Sequence, residues 1–146
     1  MSLDFGTAGI RATMGDSEDQ LNIQNVKKFA LALVDIEKYQ KIVIGYDTRH
    51  HSKEFAQTVA DVLTDQKFNK TVIISNNYTQ TPLLSYAVKY YEADCGIMIT
   101  ASHNPKNYNG IKVYDKNGVQ LLPEETINIK NNMNDNSIID QQLTNQ

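Results

Sequence analysis

Cysteine and histidine are scarce in this chain: one cysteine, Cys95, and three histidines, His50, His51 and His103. One thiol cannot close an intramolecular disulfide, and so few soft ligands leave no structural zinc site; both fit a reducing cytoplasm. Long apolar runs are missing too. None approaches the roughly 20 residues needed to span a bilayer, and the N-terminus lacks the charged-then-apolar order of a secretory signal. Nor does charge of one sign dominate: 14 Lys+Arg against 17 Asp+Glu give a formal charge of -3. That balance provides no basic field for a nucleic-acid backbone and no polybasic membrane anchor. The expectation is a cytoplasmic protein with neither nucleic acid nor membrane as partner. A length of 146 residues with 40% hydrophobic content suits one core rather than two. No repeat of 20 to 50 residues points to a solenoid.

What is present alternates. Val26, Phe29, Ala30, Leu33 and Val34 recur at helical spacing between Asn22 and about Tyr39, so this segment is expected to be a helix burying one face. The β-branched run Lys41 to Tyr46 predicts a strand, and Phe55, Val59 and Val62/Leu63 place a helix over Ser52 to Gln66. The pattern repeats: a strand at Thr71 to Ile74, a helix opened by Thr81-Pro82 and running to Tyr91, and a strand at Cys95 to Thr100 that is apolar on both pleat faces. Gly110 to Tyr114 and Val119 to Leu121 flank the turn signal Lys116-Asn117-Gly118, a hairpin-like continuation. After Pro123 a last helix is expected to fade into Asn131 to Asn136, too polar to pack. Residues 1-130 thus read as one domain and 131-146 as a polar tail or linker. The fold expected is a three-layer α/β/α sandwich with a mixed, mostly parallel sheet. Ligands of such sheets meet the loops beyond the carboxyl ends of the strands, which selects Gly6 to Arg11, Asp47 to Ser52 and Ala101 to Tyr108.

The third loop carries the densest chemistry. Thr100-Ala101-Ser102-His103-Asn104-Pro105 follows the most apolar strand, and Asn104-Pro105 keeps the backbone extended or turning. From residue type alone Ser102 could be a nucleophile, a phosphate carrier or a capping residue. Serine hydrolysis is disfavoured: His103 is the sequence neighbour of Ser102, so the two side chains tend to diverge, and no G-x-S-x-G elbow is present.

The run Gly96 to Pro105, continued by Tyr108-Asn109-Gly110-Ile111-Lys112-Val113-Tyr114, resembles the phosphoserine loop of the α-D-phosphohexomutases, the phosphoglucomutase and phosphomannomutase superfamily. Phe5-Gly6-Thr7-Ala8-Gly9-Ile10-Arg11 is similar to that family's N-terminal signature, and Gly45-Tyr46-Asp47-Thr48-Arg49 with Ser52 to its second landmark. The match spans about Phe5 to Leu121 and is most similar to the phosphoglucomutase-2-like and bacterial phosphomannomutase branch. Ala12 departs from the glycine usual there, without removing a functional group.

The resemblance implies one domain of four. No two aspartates stand at i, i+2, so the Asp-x-Asp-x-Asp metal loop of the family's second domain is not in this sequence. The chain is therefore expected to be an N-terminal-domain fragment, with an abrupt Met1-Ser2-Leu3 opening that suggests an engineered boundary, and to be inactive alone. Its partners are then the remaining mutase domains and a sugar phosphate substrate. In the family the serine matching Ser102 carries a phosphoryl group that moves between the 1- and 6-positions of a hexose through a bisphosphate intermediate, with hexose 1,6-bisphosphate as activator. The resemblance implies Mg²⁺ bound through phosphorylated Ser102 and three aspartates elsewhere. It places Arg11 and Lys112 beside the transferring group, Lys112 also as proton acceptor. Thr7, His103 and Asn104 join Arg11 and Ser102 in substrate binding, His103 also among the catalytic candidates, although loop packing is as plausible for His103, and loop shaping the better role for Asn104. Asp47 and Arg49 are expected to brace the loops, His50-His51 to be an exposed polar pair, Tyr90-Tyr91 to lie at core edges or an interface, and Cys95 to be a buried inert thiol. The alternative from another class is a stand-alone sugar-phosphate-binding or regulatory domain without mutase activity.

Overall fold

The computed structural model describes residues 9–49, 51–100 and 105–134. Five strands, β1 (Ile10–Thr13), β2 (Lys41–Tyr46), β3 (Thr71–Ile74), β4 (Cys95–Ile99) and β5 (Tyr108–Tyr114), form one sheet in the order β1-β5-β4-β2-β3. Four helices, α1 (Ile23–Val34), α2 (Ser52–Leu63), α3 (Thr81–Tyr90) and α4 (Pro123–Asn134), cover it. β2 pairs in parallel with both β3 and β4, whereas β5 runs antiparallel to its neighbours β4 and β1. Four strands thus share a direction and β5 opposes them, the mixed, mostly parallel sheet expected from the alternation.

The pleat divides the core. Ile42, Ile44 and Tyr46 of β2, Cys95, Ile97 and Ile99 of β4, and Ile111 and Val113 of β5 face one way, into a cluster with Phe29, Phe55, Leu63 and Ile129 from α1, α2 and α4. Val43, Met98 and Tyr114 face the other way, against Leu84 and Val88 of α3. β2 and β4 are buried on both faces, which is why their sequences run apolar without alternation. Three layers result, with three helices on one face and α3 on the other.

The helix ends follow local chemistry. The Asn22 side chain accepts the Asn25 amide at 2.9 Å and caps α1, satisfying one of the free N–H groups of the first turn. α1 stops at Val34 rather than about Tyr39, because the chain closes two turns there, Ile36 N–H to Leu33 carbonyl and Tyr39 N–H to Ile36 carbonyl, and Tyr39 is then buried. α2 likewise ends at Leu63, followed by a 3-10 turn over Gln66–Phe68.

Two expectations need correction. The loop expected over Gly6 to Arg11 ends earlier than that: Ile10–Thr13 is an edge strand paired with β5, so Arg11 is a strand residue. The last helix does not fade at Asn131: Met133 is buried, and the Asn132 amide donates to the Ala32 carbonyl at 2.9 Å, docking the end of α4 on α1. The Lys116-Asn117-Gly118 turn forms as expected, with Gly118 at φ 75° and Gln120 bridged back to Tyr114. Among the described residues no helix is long and apolar enough to cross a membrane.

A sheet covered on both faces should fold without further domains. The chain is expected to unfold cooperatively in a circular-dichroism melt, and Phe29→Ala, which empties a fully buried ring site, to cost roughly 3–5 kcal/mol in urea denaturation. A gradual melt with strong dye binding would contradict this.

Candidate functional site

β4 delivers the chain to one end of the sheet at Ile99, and β5 brings it back beginning at Tyr108. Ser102, His103 and Asn104, and likewise Thr7 and His50, lie outside the described residues. The frame around the Ser102 segment is nevertheless well defined on both sides. On entry, Thr100 N–H donates to the Gly110 carbonyl at 2.9 Å, and Asp47 N–H donates to the Ile99 carbonyl at 3.1 Å. On exit, Tyr108 N–H donates to the Pro105 carbonyl at 2.9 Å and closes a turn.

Arg49 grips that turn. Its Nη1 donates to the Pro105 carbonyl at 2.7 Å and to the Tyr108 carbonyl at 3.3 Å. Its Nε lies 3.9 Å from Asp47 Oδ2, an ion pair at the edge of contact. The expected brace is therefore present, but its stronger part runs from Arg49 to the backbone of the third loop. Asp47 Oδ1 accepts the Arg49 N–H at 2.9 Å and the Ser52 hydroxyl at 2.6 Å. Ser52 Oγ in turn accepts from Asn109 Nδ2 at 2.9 Å. Ser52 and Asn109 are both fully buried. Sequence reasoning gave Asn109 no role. Its available signal was a polar side chain in register with the apolar Ile111 and Val113, on the strand face that turns to the core, where a buried polar group must find a partner.

The other face of β5 holds the cations. Arg11 is paired with Gly110, and Lys112 with Met98. A Cβ on Gly110 would stand 2.3 Å from the Ile10 carbonyl oxygen, 3.0 Å from that of Thr100 and 3.3 Å from Arg11 Cγ. Only glycine lets the backbone of Ile10 and Thr100 and the Arg11 stem come this close to β5, beside the point where the Ser102 segment leaves Thr100. Gly9, at φ 85°, makes the matching approach to Ile111 and Lys112. Burial, and after it the Arg11 charge, hold the Lys112 ammonium below the ordinary lysine value. The structure thus brings Arg11 and Lys112 together, the two positions that sequence placed 101 residues apart. Two neighbouring cations, one a rigid fork and one a compact ammonium with a weakened proton, can hold a multiply charged anion and exchange a proton with it.

The remaining candidates are apart from this frame. His51 is exposed, in the left-handed region at φ 68°, with Nδ1 2.8 Å from Glu54 Oε2. Tyr90, the last residue of α3, and Tyr91, which follows it, are exposed, ring against ring at 4.9 Å. Cys95 is fully buried, and burial pushes its thiol up, out of the reactive range. Among the described residues no three His, Cys, Asp or Glu side chains gather as a metal site.

Residues 2–139 match the family model described as phosphoglucomutase/phosphomannomutase, alpha/beta/alpha domain I. A phosphoglucomutase of Staphylococcus saprophyticus is 52% identical over 126 residues, covering 84% of this chain and 22% of that protein. One from Staphylococcus aureus strain USA300 is 50% identical over 123 residues, covering 82% and 22%. The chain therefore spans about a fifth of the length of these relatives. Among solved structures, a Thermus thermophilus protein assigned as a phosphomannomutase superposes with a TM-score of 0.83 at 31% identity, over 91% of this chain and 30% of that one. A family protein from Burkholderia thailandensis shares the fold at a TM-score of 0.71 and 21% identity, over 91% and 30%.

Lys112 should titrate below the ordinary lysine value in an NMR pH series, and Arg11→Gln should move it up. The folded chain loses this proton before the unfolded chain does. The Lys112 contribution to stability should therefore rise with pH between the depressed value and the ordinary 10.5, read as the difference between the parent and Lys112→Met across that range. An unshifted Lys112 would contradict the cationic pair.

Proposed function

Because the chain belongs to the phosphoglucomutase/phosphomannomutase family as its domain I, we propose that it is the phosphoserine-bearing first domain of a mutase interconverting hexose 1-phosphate and hexose 6-phosphate, with glucose or mannose as the sugar. The observation that carries this is the placement of Arg11 opposite Gly110, with Lys112 two residues further along β5 on the same face, beside the backbone that leads into Ser102.

Phosphoryl transfer asks mainly for positioning and for neutralisation of charge, with little covalent work from the protein. Ser102 is the carrier. In transfer the bond between its oxygen and phosphorus breaks, a sugar hydroxyl oxygen forms the new bond, and the proton of that hydroxyl must leave. A lysine whose ammonium is already destabilised by burial and by Arg11 is suited to take that proton. Arg11 offers a fixed fork to the phosphoryl oxygens. After the bisphosphate turns over, the serine oxygen accepts the sugar's other phosphate and the carrier is restored. Thr7, His103 and Asn104 are the further substrate contacts of this reading.

Mg²⁺ and a hexose 1,6-bisphosphate activator belong to the proposal as well. Bound to a phosphoryl oxygen, Mg²⁺ would neutralise charge there. The described residues offer no carboxylate cluster for it, so its carboxylates are assigned to the part of a longer protein outside this chain. The same division makes the isolated chain inactive, since the remote phosphate that orients the sugar would have no grip.

In a full-length protein, Ser102→Ala should abolish turnover with the melt unchanged, and peptide mass spectrometry should find phosphate on Ser102 that exchanges with added sugar phosphate. Lys112→Ala should leave Ser102 phosphorylated but slow transfer, by roughly 10²- to 10⁴-fold if it is the proton acceptor. Turnover by a Ser102→Ala protein would overturn this function. A fully assembled protein that binds sugar phosphate without turnover would favour the regulatory domain instead.

A further inference from the structure

We propose that Arg49, Ser52 and Asn109 are positioning residues for the transfer at Ser102, a role that rests on the phosphoserine reading above. The direction of their bonds carries the proposal. Sheet register is held by backbone pairing of β5 with β1 and β4, so these side chains are not needed to define it. They direct their hydrogen bonds to the exit of the Ser102 segment and to the neighbouring loop.

Alternate residues of β5 divide the work. Gly110 and Lys112 lie on the face of Arg11, whereas Asn109 points the other way and donates to Ser52, the first residue of α2. Ser52 donates to Asp47, and Asp47 orients Arg49 through the Arg49 amide and the long Nε contact. Arg49 then holds both carbonyls of the Pro105–Tyr108 turn with one nitrogen. The chain of bonds starts and ends on the same stretch, Pro105 to Asn109, and passes through the β2–α2 loop between. Its effect is to fix that stretch against the rest of the site from two directions. A lysine at position 49 would keep the charge but lose the planar fork that serves Nη1 and Nε together. Because a misplacement near 1 Å can cost about 100-fold in rate, loosening this turn should appear in the transfer step rather than in substrate binding.

The test uses the full-length protein with Ser102 phosphorylated. Arg49→Ala, Arg49→Lys and Ser52→Ala are compared with the parent in kcat, KM, thermal midpoint and the single-turnover rate at which phosphate leaves Ser102 for the sugar. The expected result is a fall in kcat and in the single-turnover rate of about 10- to 100-fold, with KM within about twofold, the midpoint nearly unchanged in the Arg49 variants but lowered in Ser52→Ala, where the buried Asn109 amide loses its partner, and partial recovery of Arg49→Ala by added methylguanidinium. If Arg49→Ala does not accumulate as folded protein, Arg49→Lys carries the same measurement. Unchanged single-turnover rates would overturn the proposal, as would a loss in the Arg49 variants that tracks the thermal midpoint, with no recovery of Arg49→Ala by methylguanidinium. Ser102→Ala is measured alongside. If it still turns over, the phosphoserine reading has failed rather than the positioning role.

Discussion

The close approach at Gly110 is the constraint on which the site frame depends. β5 can lie between β1 and β4 at this level only because no Cβ intrudes on the Ile10 carbonyl oxygen, the Thr100 carbonyl oxygen and the Arg11 stem. Two consequences share that one missing methyl group. The antiparallel strand pairs with β1 at the sheet edge, and the stem of Arg11 lies against β5 at Gly110, next to the end of β4. A larger residue would have to displace backbone rather than a flexible side chain, which interiors accommodate poorly.

Around that point, polar chemistry is sorted by the pleat. The buried amide of Asn109 would be costly without a partner, and Ser52 supplies one at 2.9 Å. Ser52 is itself satisfied by Asp47, so the polar groups enter the interior as a linked set. A fully satisfied network of this kind fixes geometry, whereas a half-satisfied one would destabilise the fold. On the opposite face the same strand carries Lys112, whose ammonium is held below the ordinary lysine value by burial and, after it, by the Arg11 charge.

The two faces of the sheet are unequally covered. α1, α2 and α4 pack together over one face, and α4 stays helical through Asn134 because α1 offers its polar end a carbonyl partner. Among the described residues α3 is the one helix on the other face, with Leu84 and Val88 buried and Leu83, Tyr86 and Tyr90 exposed. Gly96 allows α3 to sit close, since a Cβ there would come within 2.5 Å of Val88.

Local sequence determined much of this protein. Apolar runs with no alternation gave the buried strands β2 and β4, helical spacing gave α1 and α2, and Pro82 marked the start of α3, because these signals depend on neighbours a few residues apart. The ordered motifs around Arg11, Asp47 and Ser102 identified the family for the same reason: each is a short contiguous run. Tertiary structure alone decided the rest. β1 is too short and too glycine-flanked to announce itself, and it becomes a strand only because β5 offers it a ladder. The packing of Asn132 and Met133 depends on α1, about 100 residues away. Asn109 has a meaning only beside Ser52, 57 residues earlier, and the Lys112 ammonium is held down only once the fold buries it and, after that, brings Arg11 near. Such partners are set by the strand order and register of the sheet, a non-local property that no periodicity in the chain records.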